Sequence, residues 1–396
     1  MSSQSHVLAP SKLRILLADG SLAQYPQGGG HWSVFLQYLF GLDALGHDVF
    51  WLERLVRTGN PARDQKLIRL FLTRFHHYGF GSRCALLLVD TESSDITLES
   101  AEVHGASKCH VGEVIRRADL LWNLCCTLRP PFLSLFKHRA LIDLDPGMVQ
   151  IPAWDRGYSL SDHETLLTIG SKIGEPDCQI PTFGRVWHHF MPFAHLPLWR
   201  VAPDRGKTAA FSSVTQWTWD EYWLEEQLLS FSKRQAYLNY LEMPQRSGRI
   251  FELAANIHPR DATGDRELMV KMDWKLANPH RVARSPSVYQ NYIAQSRAEF
   301  CCPKPIYKQL RTGWFSDRSA SYLASGRPVL AEDTGFSDHL PTGRGLIAFN
   351  NLEEALAGVA EIDGNYPLHM RAARELAEEY LNSRKWLPSM LSACGW

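Results

Sequence analysis

Apolar runs and polar loops alternate along this chain in the order typical of α/β proteins. Residues 13–18 form a continuous apolar run, which predicts a buried strand. Apolar residues recur at helical spacing over residues 34–45, and residues 48–52 supply a second strand. The glycines at 28–30 lie between the first strand and the helix. A strand, glycine loop, helix and strand in this order predict the start of a doubly wound parallel sheet.

The same alternation continues to the carboxyl terminus. Further strands are predicted at 85–89, 118–126, 139–144, 166–170, 207–214, 249–255, 297–303, 329–331 and 345–349, with a short strand-like piece at 281–283. Helices are predicted at 61–80, 110–117, 222–241, 287–295, 352–362 and 369–391, the last interrupted near 382–383. Two runs of alternating strands and helices indicate two Rossmann-like, doubly wound domains with a deep cleft between them.

A proline-rich stretch at residues 192–204 is the predicted linker between the domains. We therefore expect an amino-terminal domain at 1–195 and a carboxyl-terminal domain at 205–368. Residues 369–396 are expected to form helices that cross back toward the first domain. A chain of 396 residues has the length for two ordinary domains.

Composition narrows the class of protein. The chain has 42 basic and 42 acidic residues, so no net charge directs it to nucleic acid. A local basic stripe can exist within a neutral total, so a DNA-modifying enzyme is disfavoured rather than excluded. The polar amino terminus has no signal-peptide pattern and no apolar run approaches a membrane span, which predicts a cytoplasmic protein. The eight cysteines lack metal-ligand spacing and are expected to be reduced core residues.

The segment at residues 312–336 has the clearest functional pattern. Ser316 is a predicted N-cap, a short helix follows, and Gly326 ends it. A buried strand then runs into a polar loop made of Glu332, Asp333, Thr334 and Gly335. Ligands of open α/β sheets bind at such carboxyl strand ends, and helix N-termini favour phosphate.

This order of turn, helix, Gly-Arg-Pro-Val strand and acidic loop resembles the donor site of nucleotide-sugar glycosyltransferases of the GT-B fold. The resemblance implies that Arg318 holds the diphosphate, that Ser316 donates to it and that Asp317 accepts from ribose hydroxyls. The donor-binding residues it implies are Gly29, Gly30, Trp314, Ser316, Asp317, Arg318, Glu332, Asp333, Thr334 and Gly335. The retaining branch of the superfamily carries two Glu around this helix, and the matching positions near Gly313 and Ser321 are not acidic.

The glycine loop of the first half resembles both stereochemical branches of the superfamily. The spacing from Gly30 to residues 46–47 is similar to the retaining type, and the spacing from His31 to the same residues is similar to the inverting type. In the inverting type a His at this point is the general base, which makes His31 the first catalytic candidate. Asn123 stands where that type has an orienting Asp, and Asp143 or Asp145 are the substitutes.

Asp143-Leu144-Asp145 also matches the Asp-x-Asp metal motif of another transferase fold. We discount a metal site here, because Pro146-Gly147 follows at once and the GT-B fold does not require a metal. The alternatives for these carboxylates are a surface facing the acceptor and a capped turn. Weaker candidates are Lys271, Trp274 and Lys304 for added charge or stacking, and His163, Trp187, His188 and His189 for an acceptor pocket.

The sequence thus predicts a glycosyltransferase that uses a nucleoside-diphosphate sugar as co-substrate, with no cofactor and no obligatory metal. Its acceptor is a small molecule, a glycan or another molecule. Two alternatives stay open: an epimerase of the same fold that acts on the nucleotide-sugar itself, and a binding protein that has lost catalysis.

Overall fold

The computed structural model describes residues 12–90, 96–151, 160–224, 226–257 and 264–396. Two Rossmann-like domains face each other, each built on a central, mainly parallel sheet with helices on its faces. The predicted fold class is confirmed. The amino-terminal residues on which the signal-peptide prediction rested lie outside the described part, and the predicted domain limits at 195, 205 and 368 stay predictions.

The first domain is built on an eight-stranded sheet. Its strands are β1 (Arg14–Ala18), β2 (Asp48–Val56), β3 (Cys84–Val89), β4 (Glu102–Gly105), β5 (Leu120–Leu124), β6 (Arg139–Asp143), β7 (Thr165–Thr168) and β8 (Trp187–His189), and its helices are α1 (Gly29–Ala44), α2 (Pro61–His77) and α3 (Lys108–Arg117). The strand order is β4-β3-β2-β1-β5-β6-β7-β8, and only β4 is antiparallel to its neighbour within this sheet. The order reverses between β1 and β5, which is where such sheets bind ligands.

The second domain repeats this plan with six parallel strands. Its strands are β9 (Phe211–Thr215), β12 (Phe251–Ala255), β13 (Lys275–Ala277), β14 (Ala298–Cys301), β15 (Val329–Glu332) and β16 (Leu346–Phe349), and a separate hairpin is formed by β10 (Glu221–Leu224) and β11 (Gln227–Ser230). The helices are α4 (Arg234–Leu238), α5 (Met243–Ser247), α6 (Asp265–Lys271), α7 (Pro279–Val282), α8 (Pro286–Gln295), α9 (Pro305–Gln309), α10 (Asp317–Ala324), α11 (Leu352–Gly364), α12 (Tyr366–Tyr380) and α13 (Ser383–Ala393). The order β13-β12-β9-β14-β15-β16 places the switch point between β9 and β14.

Two local predictions are wrong. The helix predicted at 222–241 begins instead with the β10–β11 hairpin, in which Tyr222 pairs with Leu229. Leu229 is fully buried in an apolar cluster that also contains Ile180 of the first domain. This tertiary burial outweighs the helix propensity of the Leu and Glu residues in the segment. The strand-like piece at 281–283 belongs to helix α7, whose start is set by the N-cap Asn278.

The last helix packs on the first domain. Leu387 of α13 belongs to the core beneath α1, and a Cβ on Gly41 of α1 would lie 2.3 Å from its Cδ1 atom. The segment before α13 runs beside the interdomain connection, where the Ala194 N–H donates to the Leu381 carbonyl at 2.7 Å and the Ser383 N–H donates to the Ala194 carbonyl at 3.0 Å. The chain therefore crosses between the domains twice, at neighbouring points.

Candidate active site between the two domains

Helix α10 begins at the domain boundary with a capped first turn. Ser316 is its N-cap, and the Ser316 hydroxyl accepts a hydrogen bond from the Arg318 N–H at 3.2 Å. Gly326 follows the helix with a φ of +68°, a left-handed conformation that suits glycine. The predicted cap and helix end are confirmed. The first residue of the helix, Asp317, lies close enough to Asp145 of the first domain for their charges to interact.

Arg318 is held inside the second domain. Its guanidinium forms an ion pair with the fully buried Glu299 of β14 and donates to the Val214 carbonyl at 2.7 Å. A further guanidinium nitrogen lies 3.1 Å from Cys301 Sγ. These partners come from β9 and β14, so the guanidinium occupies the switch point itself. No local sequence pattern predicts this ion pair, and the predicted contact of Arg318 with a diphosphate stays a prediction.

Glu332 ends β15 beside the same region. Its carboxylate accepts a hydrogen bond from the Tyr240 hydroxyl at 2.9 Å and one from the Lys308 ammonium at 2.6 Å. Burial, followed by the Glu332 charge, raises the pKa of Tyr240. Glu332 is therefore a fixed acceptor at the strand end, and Lys308 neutralises it.

The loop after Glu332 is folded as a capped turn that packs on Trp314. The Asp333 carboxylate accepts a hydrogen bond from the Gly335 N–H at 2.9 Å, and the Thr334 hydroxyl donates to the Trp314 carbonyl at 2.6 Å. Gly335 has a φ of +99°, and a Cβ there would lie 2.6 Å from Cδ of Lys172. The turn therefore meets the first domain closely, and the predicted contact of these residues with a donor sugar stays a prediction.

Lys233 is a buried cation with no counter-charge among the residues that the structure describes. Its side chain is 8% exposed, and its Nζ lies 5.3 Å from the centre of the Trp314 ring. Within the described ranges, its ammonium makes no hydrogen bond or ion pair. Burial, followed by the charges of Arg318 and Lys304, lowers the pKa of Lys233 to about 8. Sequence reasoning missed this residue, because it lies within the segment wrongly predicted as helix.

Lys304 joins the two domains through Asp145. Its Nζ lies 2.7 Å and 2.5 Å from the two Asp145 carboxylate oxygens. The Asp145 side chain is 32% exposed, so one of its faces is open to the cleft. Burial raises the pKa of the nearby Asp317 to about 7, and the Asp145 charge adds to the shift. The weak candidate Lys304 therefore connects the second domain to Asp145 of the first, and Asp145 in turn lies near Asp317.

Asp143 supports the turn that presents Asp145. Its buried carboxylate accepts hydrogen bonds from the Gln150 amide at 2.8 Å, the Thr168 hydroxyl at 2.9 Å and the Asp145 N–H at 3.0 Å. Burial raises the pKa of Asp143 to about 6. Asp143 therefore caps the turn and Asp145 pairs with Lys304 of the second domain, and the predicted catalytic roles of both carboxylates stay predictions.

His31 lies in the first turn of α1. Its Nε2–H donates to the Gly20 carbonyl at 2.5 Å, which leaves Nδ1 as the basic nitrogen. Burial lowers the pKa of His31, so the ring is neutral at pH 7. Asn123 contacts His163 instead, with 2.9 Å between the Asn123 amide nitrogen and the His163 Nε2. Asn123 therefore belongs to a separate network, and the general-base role of His31 stays a prediction.

The glycine loop meets the second domain. The Gly29 N–H donates to the Ala283 carbonyl at 2.5 Å, and a Cβ on Gly29 would lie 2.3 Å from the Ser285 carbonyl oxygen. A Cβ on Gly30 would lie 3.3 Å from the Tyr289 ring. These glycines allow two backbones from different domains to touch, and their contact with a donor stays a prediction.

The remaining candidates lie in different surroundings. Trp274 belongs to the core of the second domain and Trp187 to the apolar cluster between the domains. Lys271, His188 and His189 are exposed. Among the described residues, no three His, Cys, Asp or Glu side chains are grouped as metal ligands, and no helix has the length and apolarity to cross a membrane. The eight cysteines are free thiols.

No protein-family model matches this sequence, and no curated protein matches it. Solved structures do match it over nearly the whole chain. An α-glucosyltransferase solved with UDP and a 13-mer DNA is 10% identical, with a TM-score of 0.61, over 98% of this chain and 100% of its own. AviGT4, a glycosyltransferase of avilamycin A biosynthesis, is 13% identical, with a TM-score of 0.54, over 97% of both chains. Anabaena HepE, solved with UDP and glucose, is 10% identical, with a TM-score of 0.52, over 96% of this chain and 99% of its own. The chain has the GT-B fold that these glycosyltransferases share.

Proposed function

We propose that this protein is a glycosyltransferase that moves a sugar from a nucleoside-diphosphate sugar to an acceptor hydroxyl. The diphosphate is held between Lys233 and the N-terminus of α10, with Lys304 beside it. The acceptor lies on the side of the first domain, near Asp145. The solved proteins of this fold named above include two that were crystallised with UDP, which supports a nucleotide donor.

Lys233 is the observation that carries the proposal. A largely buried ammonium that lacks a counter-charge destabilises the folded protein, and a bound partner of negative charge relieves that cost. The helix N-terminus at Ser316 favours an anion in the same place. A diphosphate has the charge and the reach to satisfy both, whereas a neutral ligand satisfies neither.

The reaction follows from this placement. The bond between the sugar C1 and the β-phosphate oxygen breaks, and a bond between C1 and the acceptor oxygen forms. Lys233 and Lys304 neutralise the charge that develops on the leaving diphosphate, so the proposed mechanism requires no metal. The acceptor proton passes to a nearby base, for which His31 and Asp145 are the candidates. The contact between the glycine loop and residues 283–285 limits access of water to this gap.

The proposal is tested by calorimetry with UDP, GDP, ADP and dTDP. We expect one of them to bind the unaltered protein, and Lys233→Met to weaken that binding about 100-fold, since a buried charge-assisted contact is worth roughly 3 kcal/mol. Lys275→Met removes an exposed lysine of the same domain and serves as the matched control.

Product analysis then separates the proposed function from its alternatives. The matching nucleotide-sugar, incubated alone, is expected to give only slow hydrolysis, and an epimerised nucleotide-sugar would indicate the epimerase instead. Failure of all four nucleotides to bind, or equal binding by Lys233→Met and Lys275→Met, would show the proposed donor site to be wrong.

A further inference from the structure

The β10–β11 hairpin is a separate two-stranded sheet outside the two central sheets. It follows β9 at the carboxyl edge of the second sheet, on the side where Lys304 lies. Its inner face packs on the first domain, because Leu229 and Phe231 are buried in a cluster with Val149 and Ile180. Its outer face presents Trp223, which is 70% exposed and pairs across the hairpin with Leu228.

A second exposed indole connects the hairpin to the proposed reacting groups. Trp219 is 44% exposed and lies in the loop that leads into β10. The Nζ of Lys304 lies 5.8 Å from the centre of the Trp219 ring and 2.5 Å from an Asp145 carboxylate oxygen. The Lys304 ammonium therefore links the partly exposed Trp219 ring to the Asp145 carboxylate.

The acidic residues near Trp219 and Trp223 favour a sugar ligand over a nucleic acid. The described residues of the segment 216–231 include Asp220, Glu221 and Glu226 and no Lys or Arg, and the neighbouring Lys304 is paired with Asp145. These three carboxylates repel the phosphates of a nucleic acid, whereas they accept hydrogen bonds from sugar hydroxyls. Flat aromatic rings with polar acceptors beside them suit the apolar face of a sugar ring.

We infer that Trp219 and Trp223 form an acceptor platform for an uncharged oligosaccharide. This inference rests on the proposed function and names the acceptor class for the same site. The sugar unit that receives the transfer stacks on Trp219 with a hydroxyl directed to Asp145. The neighbouring units of the chain extend over the hairpin to Trp223. The acceptor is therefore a glycan, and the second domain contributes to its selection.

Saturation-transfer NMR tests this platform on the full-length protein with saturating UDP. The probes are cellotetraose, maltotetraose and chitotetraose. A short thymidine oligonucleotide and a short DNA duplex test the alternative that the surface binds nucleic acid. Trp219→Ala and Trp223→Ala are the test variants, and Trp219→Phe retains a ring. Trp396→Ala is the matched control, because Trp396 is 46% exposed and lies beside His138, away from the hairpin.

We expect at least one tetrasaccharide to receive saturation from the unaltered protein. Trp219→Ala is expected to weaken its binding about five-fold, the usual scale of an aromatic contact. Trp223→Ala weakens it less, while Trp219→Phe and Trp396→Ala retain it, and UDP affinity is unchanged in every variant.

Binding of no tetrasaccharide, equal binding by Trp219→Ala, or binding of an oligonucleotide through the two indoles would overturn the inference. UDP binding without saccharide binding overturns the platform alone. Failure of the unaltered protein to bind any of the four nucleoside diphosphates overturns the proposed function instead, so the two failures are distinct.

Discussion

Two lysines are buried where the domains meet, in opposite surroundings. The Lys172 ammonium contacts the carboxylates of Glu175 at 3.0 Å, Asp177 at 3.1 Å and Asp338 at 2.5 Å. The Lys233 ammonium contacts none among the described residues. The hydrogen bond to Asp338 raises the pKa of Lys172 above its ordinary value, whereas burial lowers the pKa of Lys233 to about 8.

The different partners of the two lysines distinguish a structural role for Lys172 from the proposed ligand-binding role of Lys233. Lys172 belongs to the first domain and Asp338 to the second, so their ion pair holds the domains together without any ligand. Lys233 has no such partner among the described residues, so its burial costs stability, and in the proposed function a bound diphosphate supplies the missing charge. Burial alone therefore does not identify a ligand-binding lysine, and the missing carboxylate does.

Replacing Lys172 gives the largest expected effect on stability. Lys172→Met leaves three carboxylates facing one another, and we expect the free energy of unfolding to fall by about 2 kcal/mol. This is less than for a fully buried pair, because the carboxylates are partly exposed to solvent. Urea denaturation measures the change, and Lys275→Met is the control on an exposed lysine. An unchanged urea midpoint in Lys172→Met would show that the Lys172 ion pairs do not stabilise the protein, and the structural role given to Lys172 would be wrong.

The pH dependence of nucleotide binding tests whether the protonated form of Lys233 is needed to bind the anion. An anion requires protonated Lys233, whose pKa in the free protein is about 8. The fraction protonated falls about ten-fold between pH 7 and pH 9, so UDP affinity falls by about the same factor. Calorimetry at each pH measures the loss. Lys233→Arg remains charged throughout, and a similar loss in that variant would assign the titration to another group.

The smallest expected effect is a gain in the free energy of unfolding. A lysine whose pKa is lowered by folding destabilises the native state fully below its folded pKa, and this cost disappears as the pH rises through the unfolded value of about 10.4. Lys233→Met is therefore expected to raise the free energy of unfolding by about 1 kcal/mol at pH 7 without ligand, and by less at pH 10. Urea denaturation at both pH values measures it. A loss of stability at pH 7 would mean that Lys233 has a compensating partner.

The sequence predicted the fold because its signals are local. Continuous apolar runs report buried parallel strands, and Ser316 and Gly326 mark a helix start and stop within a few residues of each other. The β10–β11 hairpin escaped prediction, because Tyr222 and Leu229 suit a helix as well as a strand until the first domain packs on them. Strand β4 is a short edge strand with little burial, so its pattern is weak.

The site was harder to predict, because it is made by contacts between distant parts of the chain. The sequence predicts Arg318 as a charge near the donor, but it does not predict the ion pair with Glu299, which lies on another strand. Lys233 has no local motif, and only the packing of two domains makes it a buried, unpaired cation. Asp145 was among the candidates, yet its ion pair with Lys304 of the second domain cannot be predicted from periodicity or spacing in the sequence.

The double crossing of the chain limits how the cleft moves. Ala194 on the first connection is hydrogen-bonded to Leu381 and Ser383 on the second, so both connections pass through one fixed point. Sliding of one domain along the other breaks these bonds, whereas rotation about the point preserves them. A rotation about this point would separate the two ion pairs that join the domains elsewhere, Lys172–Asp338 and Lys304–Asp145.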